Sequence, residues 1–467
     1  MEVIANNMLE LVPENNRDYD VLESAKRELT LRNPQYDKML RLGKRPWKIQ
    51  EHLRFYEGNK FPRGYLFRLV SYFPEKSFHF KDFRRVCEKQ YFSFHGKLRP
   101  YQEKAVTTLG KTQDGVLVAP CGSGKTAMAM ALIARKKQPA LILVHTKELL
   151  YQMAENIRYW LGEEPGIIGG GKRDVKRVTV STLQSLRKEE STLDIKDVFG
   201  LILVDECHHV PAMTFSDVVS RFPAKYRYGL TATPERQDGL SEIILYALGP
   251  IRYRVTMHDL EKHGLLSKPK LFWIPTDFAY EYRDDFPALI SALTEDAGRN
   301  EILVDLATRA ACKGRSVLLL SSRVDHCQIL FRMIEKKNPG ISVAITGSMK
   351  QKNRKNALDS IKQGQKSILV ASSIADEGLN VPVLDTLIFA TPFKAKGKVF
   401  QRVGRILRRC DGKNTPVVCD LDDWRVSILQ YQAWSRYEDG YRALMDKPKP
   451  PREKMVSKYF QQEGGFF

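Results

Sequence analysis

The chain has 467 residues, enough for two to four domains of ordinary size. Its 43% hydrophobic and 10% aromatic content excludes wholesale disorder, and no apolar run approaches the roughly 18–20 residues that a membrane helix needs. The 75 Lys and Arg outnumber the 55 Asp and Glu to give +20 with His neutral, which points to a polyanionic partner with nucleic acid the default; the plain alternative is a basic chain kept soluble by its charge.

The N-terminus, MEVIANNMLELVPENN, lacks the basic start and apolar stretch of a secretory signal. Seven cysteines (87, 121, 207, 312, 327, 410 and 419) form no C-x-x-C pair, so neither a disulfide framework nor a zinc cluster is expected. Their use fits a reducing cytoplasm. Residues 1–95 open on a strand-like MEVIANNMLELVP and a helical VLESAKREL and are expected to form a small α+β domain. Between residues 37 and 97, 15 Lys/Arg stand against 6 Asp/Glu, a local surplus of +9, interleaved with eleven aromatics from Trp47 to Phe83. Most of those rings are expected in the core of the small domain. The Lys and Arg near 38–48 and 81–89 are the better candidates for phosphate contact.

From residue 115, short β-rich runs alternate with helical stretches: GVLVA (115–119), ALILVHT (140–146), RVTVST (177–182), GLILVDE (200–206) and YRYGLTAT (226–233). A second series follows: SVLLLSS (316–322), ISVAITG (341–347), SILVASS (367–373), TLIFATP (386–392) and TPVVCDL (415–421). Near-continuous apolar strands separated by helices predict parallel sheets covered on both faces, so the fold class is α/β with two such domains in tandem, over 96–257 and 291–446. Residues 258–290 are read as a linker. The Pro- and Lys-rich tail from 447 to 467 is expected to be poorly ordered.

Three motifs carry chemistry. APCGSGKT (119–126) follows an apolar strand and precedes the helix-forming AMAMALIARKK, the context of a phosphate-binding loop, although Ala119 stands where the strict motif has Gly. Cys121, Gly122, Ser123 and Gly124 would wrap the phosphates, Lys125 would place a point charge on them, and Thr126 would give its hydroxyl to Mg²⁺. VDECHH (204–209) ends the strand GLILV, where a carboxylate faces the ligand crevice of a parallel sheet. Asp205 would hold Mg²⁺ and Glu206 would orient and deprotonate a water. His208 and His209 raise zinc as an alternative, but no second ligand pair accompanies them. QRVGRILRR (401–409) puts Arg402, Arg405 and Arg408 at a spacing of three, either as a solvated basic face or as arginine fingers, with Gln401 beside them.

In this order the motifs resemble the superfamily 2 nucleic-acid motors with two RecA-like domains, over about residues 97–425. The resemblance implies that Arg99 and Gln102 of LRPYQ read adenine. It makes HTKELLYQ (145–152, with Thr146) and STLQSL (with Ser181 and Thr182) strand-contacting motifs, and TAT (231–233) the coupling motif. In ASSIADEGLNVP (371–382), it sets Ser372 on backbone phosphate and Gly378 and Asn380 near the nucleotide. Ser322 and Arg323 are further implied contacts, and Arg405 and Arg408 are implied to act on the transferring phosphoryl group. The box DECH, TATPERQDG followed by LGPIRYRV, and the N-terminal RNPQYDKMLRLGKRPWKI resemble the XPB, UvsW and ResIII branch, most of all phage UvsW-type repair and branch-migration helicases. Two departures stand out. Asn380 replaces an Asp common at that position, and Glu377 stands where RNA-helicase relatives carry Arg.

The resemblance therefore implies an ATP- and Mg²⁺-dependent DNA helicase or translocase acting on forked or branched DNA without sequence preference. It implies a cytoplasmic monomer without a membrane segment. An RNA helicase with the same core, a duplex translocase that does not separate strands, and a binding protein with a decayed motor are the alternatives.

Overall fold

The computed structural model describes residues 1–452 except 42, 44, 74–77, 121, 208–211, 233–239, 348, 373–380, 394–397, 411 and 446–447. The chain divides into two compact units, Met1–Thr256 and Met257–Phe467.

In the first unit, the β-branched runs predicted as strands pair into an eight-stranded sheet. Its order is Lys172–Asp174, Gly166–Gly169, Val178–Thr182, Ala140–Val144, Leu201–Val204, Tyr226–Thr231, Asp114–Val118 and Ile251–Arg254. All neighbours are parallel except the Lys172–Asp174 edge strand, which runs against Gly166–Gly169. The central strands Ala140–Val144 and Leu201–Val204 are buried throughout, as strands covered on both faces must be. Helix Lys147–Leu161 packs through Leu150, Met153, Ala154, Ile157 and Leu161, a stripe at helical spacing. Thr146 caps its start, and Gly162 at φ 66° ends it in the left-handed region that favours glycine.

Residues 1–82 form a second sheet in the order Lys60–Phe61, Leu9–Val12, Glu2–Ala5 and His79–Asp82. Phe55, Phe61, Tyr65 and Phe73 are buried in its core, as most of the rings were expected to be, while Trp47 and Phe83 are exposed. That core is not closed on itself. It is completed by Leu240 and by Ile243 and Tyr246 of helix Glu242–Leu248 from the parallel-sheet part of the unit. Gly64 lies so close to that helix's C-terminus that a Cβ would fall 2.4 Å from the Gly249 nitrogen. The buried Arg63 guanidinium donates to the Ala224 carbonyl (2.6 Å) and the Lys225 carbonyl (3.1 Å), and the buried Arg227 donates to the Asn7 carbonyl (2.8 Å). Residues 83–97 then run along the floor of the parallel sheet. Arg85 pairs with Ala224 before strand Tyr226–Thr231, Cys87 exchanges hydrogen bonds with Gln138 before Ala140–Val144, and Phe94 stacks on Trp160.

The second unit holds a six-stranded parallel sheet in the order Lys270–Pro275, Val417–Asp422, Thr386–Phe389, Val317–Ser321, Ile368–Ser372 and Ser342–Ile345. Lys270–Pro275 lies in the stretch read from sequence as a linker. Its run KLFWIP is closed by proline, which an edge strand tolerates, and no helical pattern marks it as half of a βα unit. Two buried ion pairs, Arg299–Asp423 (2.9 Å) and Arg436–Asp420 (2.7 Å), tie helices Ala297–Cys312 and Ser427–Arg436 to the C-terminal end of Val417–Asp422.

Candidate ATP site and nucleic-acid face

The loop after strand Asp114–Val118 meets the conformational demands of a phosphate cradle. Gly122 (φ 85°) and Gly124 (φ 79°) both take left-handed backbone, and a Cβ on Gly124 would fall 2.4 Å from Gln102 Nε2. Helix Lys125–Lys136 starts at Gly124 without a side-chain cap. A phosphate would satisfy the amide groups that a helix N-terminus leaves open. The Ser123 hydroxyl is fully buried and has no hydrogen-bond partner among the described residues, an unmet donor inside the loop. The loop is anchored by Ala119 N–H donating to the Thr231 carbonyl (2.8 Å) and by the Tyr101 hydroxyl and Gln102 Nε2, each donating to the Ser123 carbonyl (2.8 Å).

The carboxylates stand at the end of strand Leu201–Val204. Glu206 sits at φ 46°, uncommon for a residue with a Cβ, and in this conformation its carboxylate pairs with Lys125 Nζ at 2.9 Å. Asp205 is buried beside it, and burial together with the Glu206 charge pushes its carboxyl up to about 6. A cation would relieve this crowding of negative charge. Asp205 with the partly exposed Thr126 therefore fits a Mg²⁺ that takes its remaining ligands from phosphate and water.

Gln102 is buried with both ends of its amide engaged, the oxygen accepting from Arg99 N–H at 2.9 Å, while Arg99 itself is exposed. Cys121 and Gly378 lie outside the described residues, as do Asn380, His208 and His209.

An open cleft of about 390 Å³ lies beside this site at the same end of the sheet, lined by 145–148, Thr182, Gln184 and Ser185. Thr146 accepts from Leu149 N–H (3.3 Å), and the Thr182 and Ser185 hydroxyls share a hydrogen bond (2.7 Å). Ser181, expected on the nucleic-acid strand, is fully buried, its hydroxyl 3.1 Å from both the Ile168 and Thr182 carbonyls. It stitches neighbouring strands and cannot reach a ligand, so Thr182 is the member of that pair left at the cleft. In the second unit, Ser322 and Arg323 are exposed past strand Val317–Ser321, and Ser372 ends the paired strand Ile368–Ser372, with Ser321 and Ser372 in register. The Ser372 hydroxyl is buried and lacks a hydrogen-bond partner among the described residues.

Residues 95–236 match the family described as "Type III restriction enzyme, res subunit", and residues 298–410 match "Helicase conserved C-terminal domain". The chain is 31% identical over 350 residues to the DNA 3'-5' translocase XPB2 of Sulfurisphaera tokodaii, covering 68% of this chain and 79% of that one. The chain belongs to the superfamily 2 helicases, in the XPB and ResIII branch. It is also 28% identical over 419 residues to a protein of Acanthamoeba polyphaga mimivirus named as the ATP-dependent RNA helicase L396, covering 84% of this chain and 78% of that one. Saccharomyces cerevisiae Dbp5 bound to RNA and ADP BeF3 shares the fold with a TM-score of 0.54 at 14% identity, over 74% of this chain and 89% of that chain. The two parallel sheets are thus the RecA-like pair of a helicase, an ATP-dependent enzyme family.

In this superfamily 2 chain, helix Lys398–Leu407 carries the last motif. Val399, Val403, Ile406 and Leu407 are buried on one stripe, which leaves Gln401, Arg402 and Arg405 partly exposed on the other faces. Arg402 lies over the Phe393 ring (4.6 Å). Arg408 falls one residue past the helix, bridged to Leu266, so the spacing-of-three argument holds for Arg402 and Arg405 alone. The helix stops there because the chain turns to pair. Lys413 Nζ donates to the Arg408 carbonyl (2.7 Å), and burial lowers that ammonium to about 8.

One residue of the site was not singled out from the sequence. His145 follows strand Ala140–Val144, lines the cleft and bears electrostatically on Asp205. Its signal was available as a polar residue at the C-terminal end of a parallel strand. Among the described residues, no helix is long and apolar enough to cross a membrane.

Proposed function

We propose that this helicase is an ATP-dependent DNA motor that engages forked or branched DNA through phosphate contacts. The observation that carries the catalytic reading is the Lys125–Glu206 pair, 2.9 Å apart, beside the buried Asp205 and the uncapped helix start. Phosphate entering the loop competes for Lys125 and releases Glu206. Glu206 then takes a proton from a water that attacks the γ-phosphorus, and ADP departs as the leaving group. Thr126 and Asp205 would hold Mg²⁺, which would supply charge neutralisation for the phosphoryl transfer. Gln401, Arg405 and Arg408 are read as groups that stabilise the transferring phosphoryl charge, and Arg99 and Gln102 as the adenine readers. Engagement of the Gln102 amide with the loop links adenine binding to loop placement.

Thr146, Lys147 and Thr182 of the cleft, with Ser322 and Arg323, are the proposed backbone contacts, and they predict binding without sequence preference. Ser372 is buried like Ser181 and is not among them. The choice of DNA rests on the XPB2 relative. The L396 relative, whose printed name is that of an RNA helicase, keeps RNA as the second reading.

The N-terminal part adds Lys38, Arg45, Lys48, Lys81, Arg85 and Lys89, all exposed, as phosphate contacts for a branch. Arg63 and Arg84 of the same basic segment are buried and hold the fold, so part of the local surplus is internal. Gel-shift titration with forked and linear duplex DNA tests this part. Arg45→Ala/Lys48→Ala should weaken fork binding while basal ATP hydrolysis stays unchanged, and unaltered fork affinity would refute the assignment.

A further inference from the structure

The C-terminal tail contains Pro448-Lys449-Pro450-Pro451-Arg452, a Pro-x-x-Pro-Arg sequence. These residues form neither helix nor strand, yet they are seated on an aromatic face of the second unit. Trp273 of edge strand Lys270–Pro275 donates its indole N–H to the Lys449 carbonyl (2.9 Å). Trp434 of helix Ser427–Arg436 donates to the Arg452 carbonyl (3.0 Å), and the Tyr437 hydroxyl donates to the Pro448 carbonyl (3.3 Å). Arg452 lies over the Trp424 ring (5.0 Å), and its N–H donates to Asp422 Oδ2 (3.2 Å).

The spacing carries the argument. A polyproline II helix repeats every three residues, so groups at i and i+3 face the same way. The two carbonyls taken by the indoles, 449 and 452, are three apart. Burial follows the same period: Pro451 is buried, Pro448 half-buried, and Lys449 and Pro450 between them are exposed. Aromatic walls, indole donors to carbonyls and a carboxylate near a flanking arginine are how folded domains read proline-rich ligands.

We propose that this groove is a binding site for a basic Pro-x-x-Pro-Arg segment and that its occupant is the chain's own residues 448–452, which fasten the C-terminal tail to the second lobe. The proposal is independent of the ATP and DNA reading. Only six residues (442–447) separate the occupant from the π-helical segment Tyr437–Tyr441 in the chain, so its effective concentration at the groove is of millimolar order. A free peptide therefore reaches the groove only when the tail is released.

The test uses the full-length chain with ¹⁵N-labelled tryptophan, which gives five indole N–H resonances. Pro448→Ala/Pro451→Ala should shift those of Trp273 and Trp434 and leave those of Trp47 and Trp160 in place. A synthetic peptide of residues 447–453 should then return both toward their original positions in this variant, and a scrambled peptide should not. The unsubstituted chain should show no response to either peptide. Adding Trp434→Phe to the variant should weaken the peptide roughly two- to tenfold, the size of one lost hydrogen bond, and Trp273→Phe gives the same reading if Trp434→Phe does not fold. Unmoved Trp273 and Trp434 resonances in the double variant, or a peptide that restores nothing, would overturn the proposal.

Discussion

Glu206 is held at φ 46° while its carboxylate meets Lys125 at 2.9 Å, and such a conformation in a non-glycine residue persists only where the surroundings enforce it. Here the Asp205 and Cys207 N–H groups are pinned to the Leu143 and Leu230 carbonyls on either side. Glu206→Gln should leave nucleotide binding intact and lower ATP turnover by at least about two orders of magnitude, the usual size of a lost general base; steady-state hydrolysis beside nucleotide titration separates the two. Gly124→Ala acts differently, because its Cβ would meet Gln102 Nε2 at 2.4 Å on left-handed backbone. Strain of roughly 1–3 kcal/mol should appear as weaker ATP binding, checked by titration with a fluorescent ATP analogue. The backbone of the loop at Gly122 and Gly124 was legible at this scale, because a Gly-rich run between strand and helix is a local signal in sequence. The burial of Ser181 was not, since a strand buried on both faces gives no alternation to say which side chain reaches the surface. His145 was missed because its role depends on two strands lying side by side.

At the scale of elements, the alternation of apolar runs with helices announced both parallel sheets. What it did not announce were pieces without a βα signature: the edge strands Lys172–Asp174 and Lys270–Pro275, and the docking of the N-terminal sheet on helix Glu242–Leu248. Eight residues (234–241) separate that helix from TAT (231–233), the segment read by resemblance as the coupling motif, and the helix shares a core with residues 1–82. Removing 1–95 would therefore uncover Leu240, Ile243 and Tyr246 as well as discard basic residues, so point substitutions are the cleaner probe of DNA contact. Gly64→Ala should destabilise the first unit by about 1–3 kcal/mol, as overpacking does, because the obstructing atoms are backbone. Urea unfolding reads this directly, and an unchanged midpoint would contradict the close approach. Asp82, held below the usual carboxylate range by hydrogen bonds from Arg84, also pairs with Lys225 across the same joint (3.1 Å). A depressed carboxyl stabilises the fold above its unfolded value and loses that contribution as pH falls through the folded one. Stability of the native chain should thus drop on acidification below about pH 4 more steeply than that of Asp82→Asn.

For the whole molecule, the +20 charge becomes a set of placed groups. Lys125 is the cation proposed for ATP, Arg63 and Arg227 hold the N-terminal sheet to the first parallel sheet, Arg84 is buried against Asp82, and Arg299 and Arg436 tie down the second lobe's helices. The cations left at the surface are those available to a polyanion. DNA affinity should fall steeply with salt, and Arg45→Ala/Lys48→Ala should reduce the slope of log affinity against log salt by about 2. The measurement that tests the central claim most directly is the rate of ATP hydrolysis by the full-length chain with forked DNA, linear duplex and RNA as stimulators, run beside Lys125→Ala. Forked DNA should stimulate most, RNA least, and the variant should hydrolyse nothing above background. Hydrolysis retained in Lys125→Ala, or stimulation by RNA and not by DNA, would contradict it.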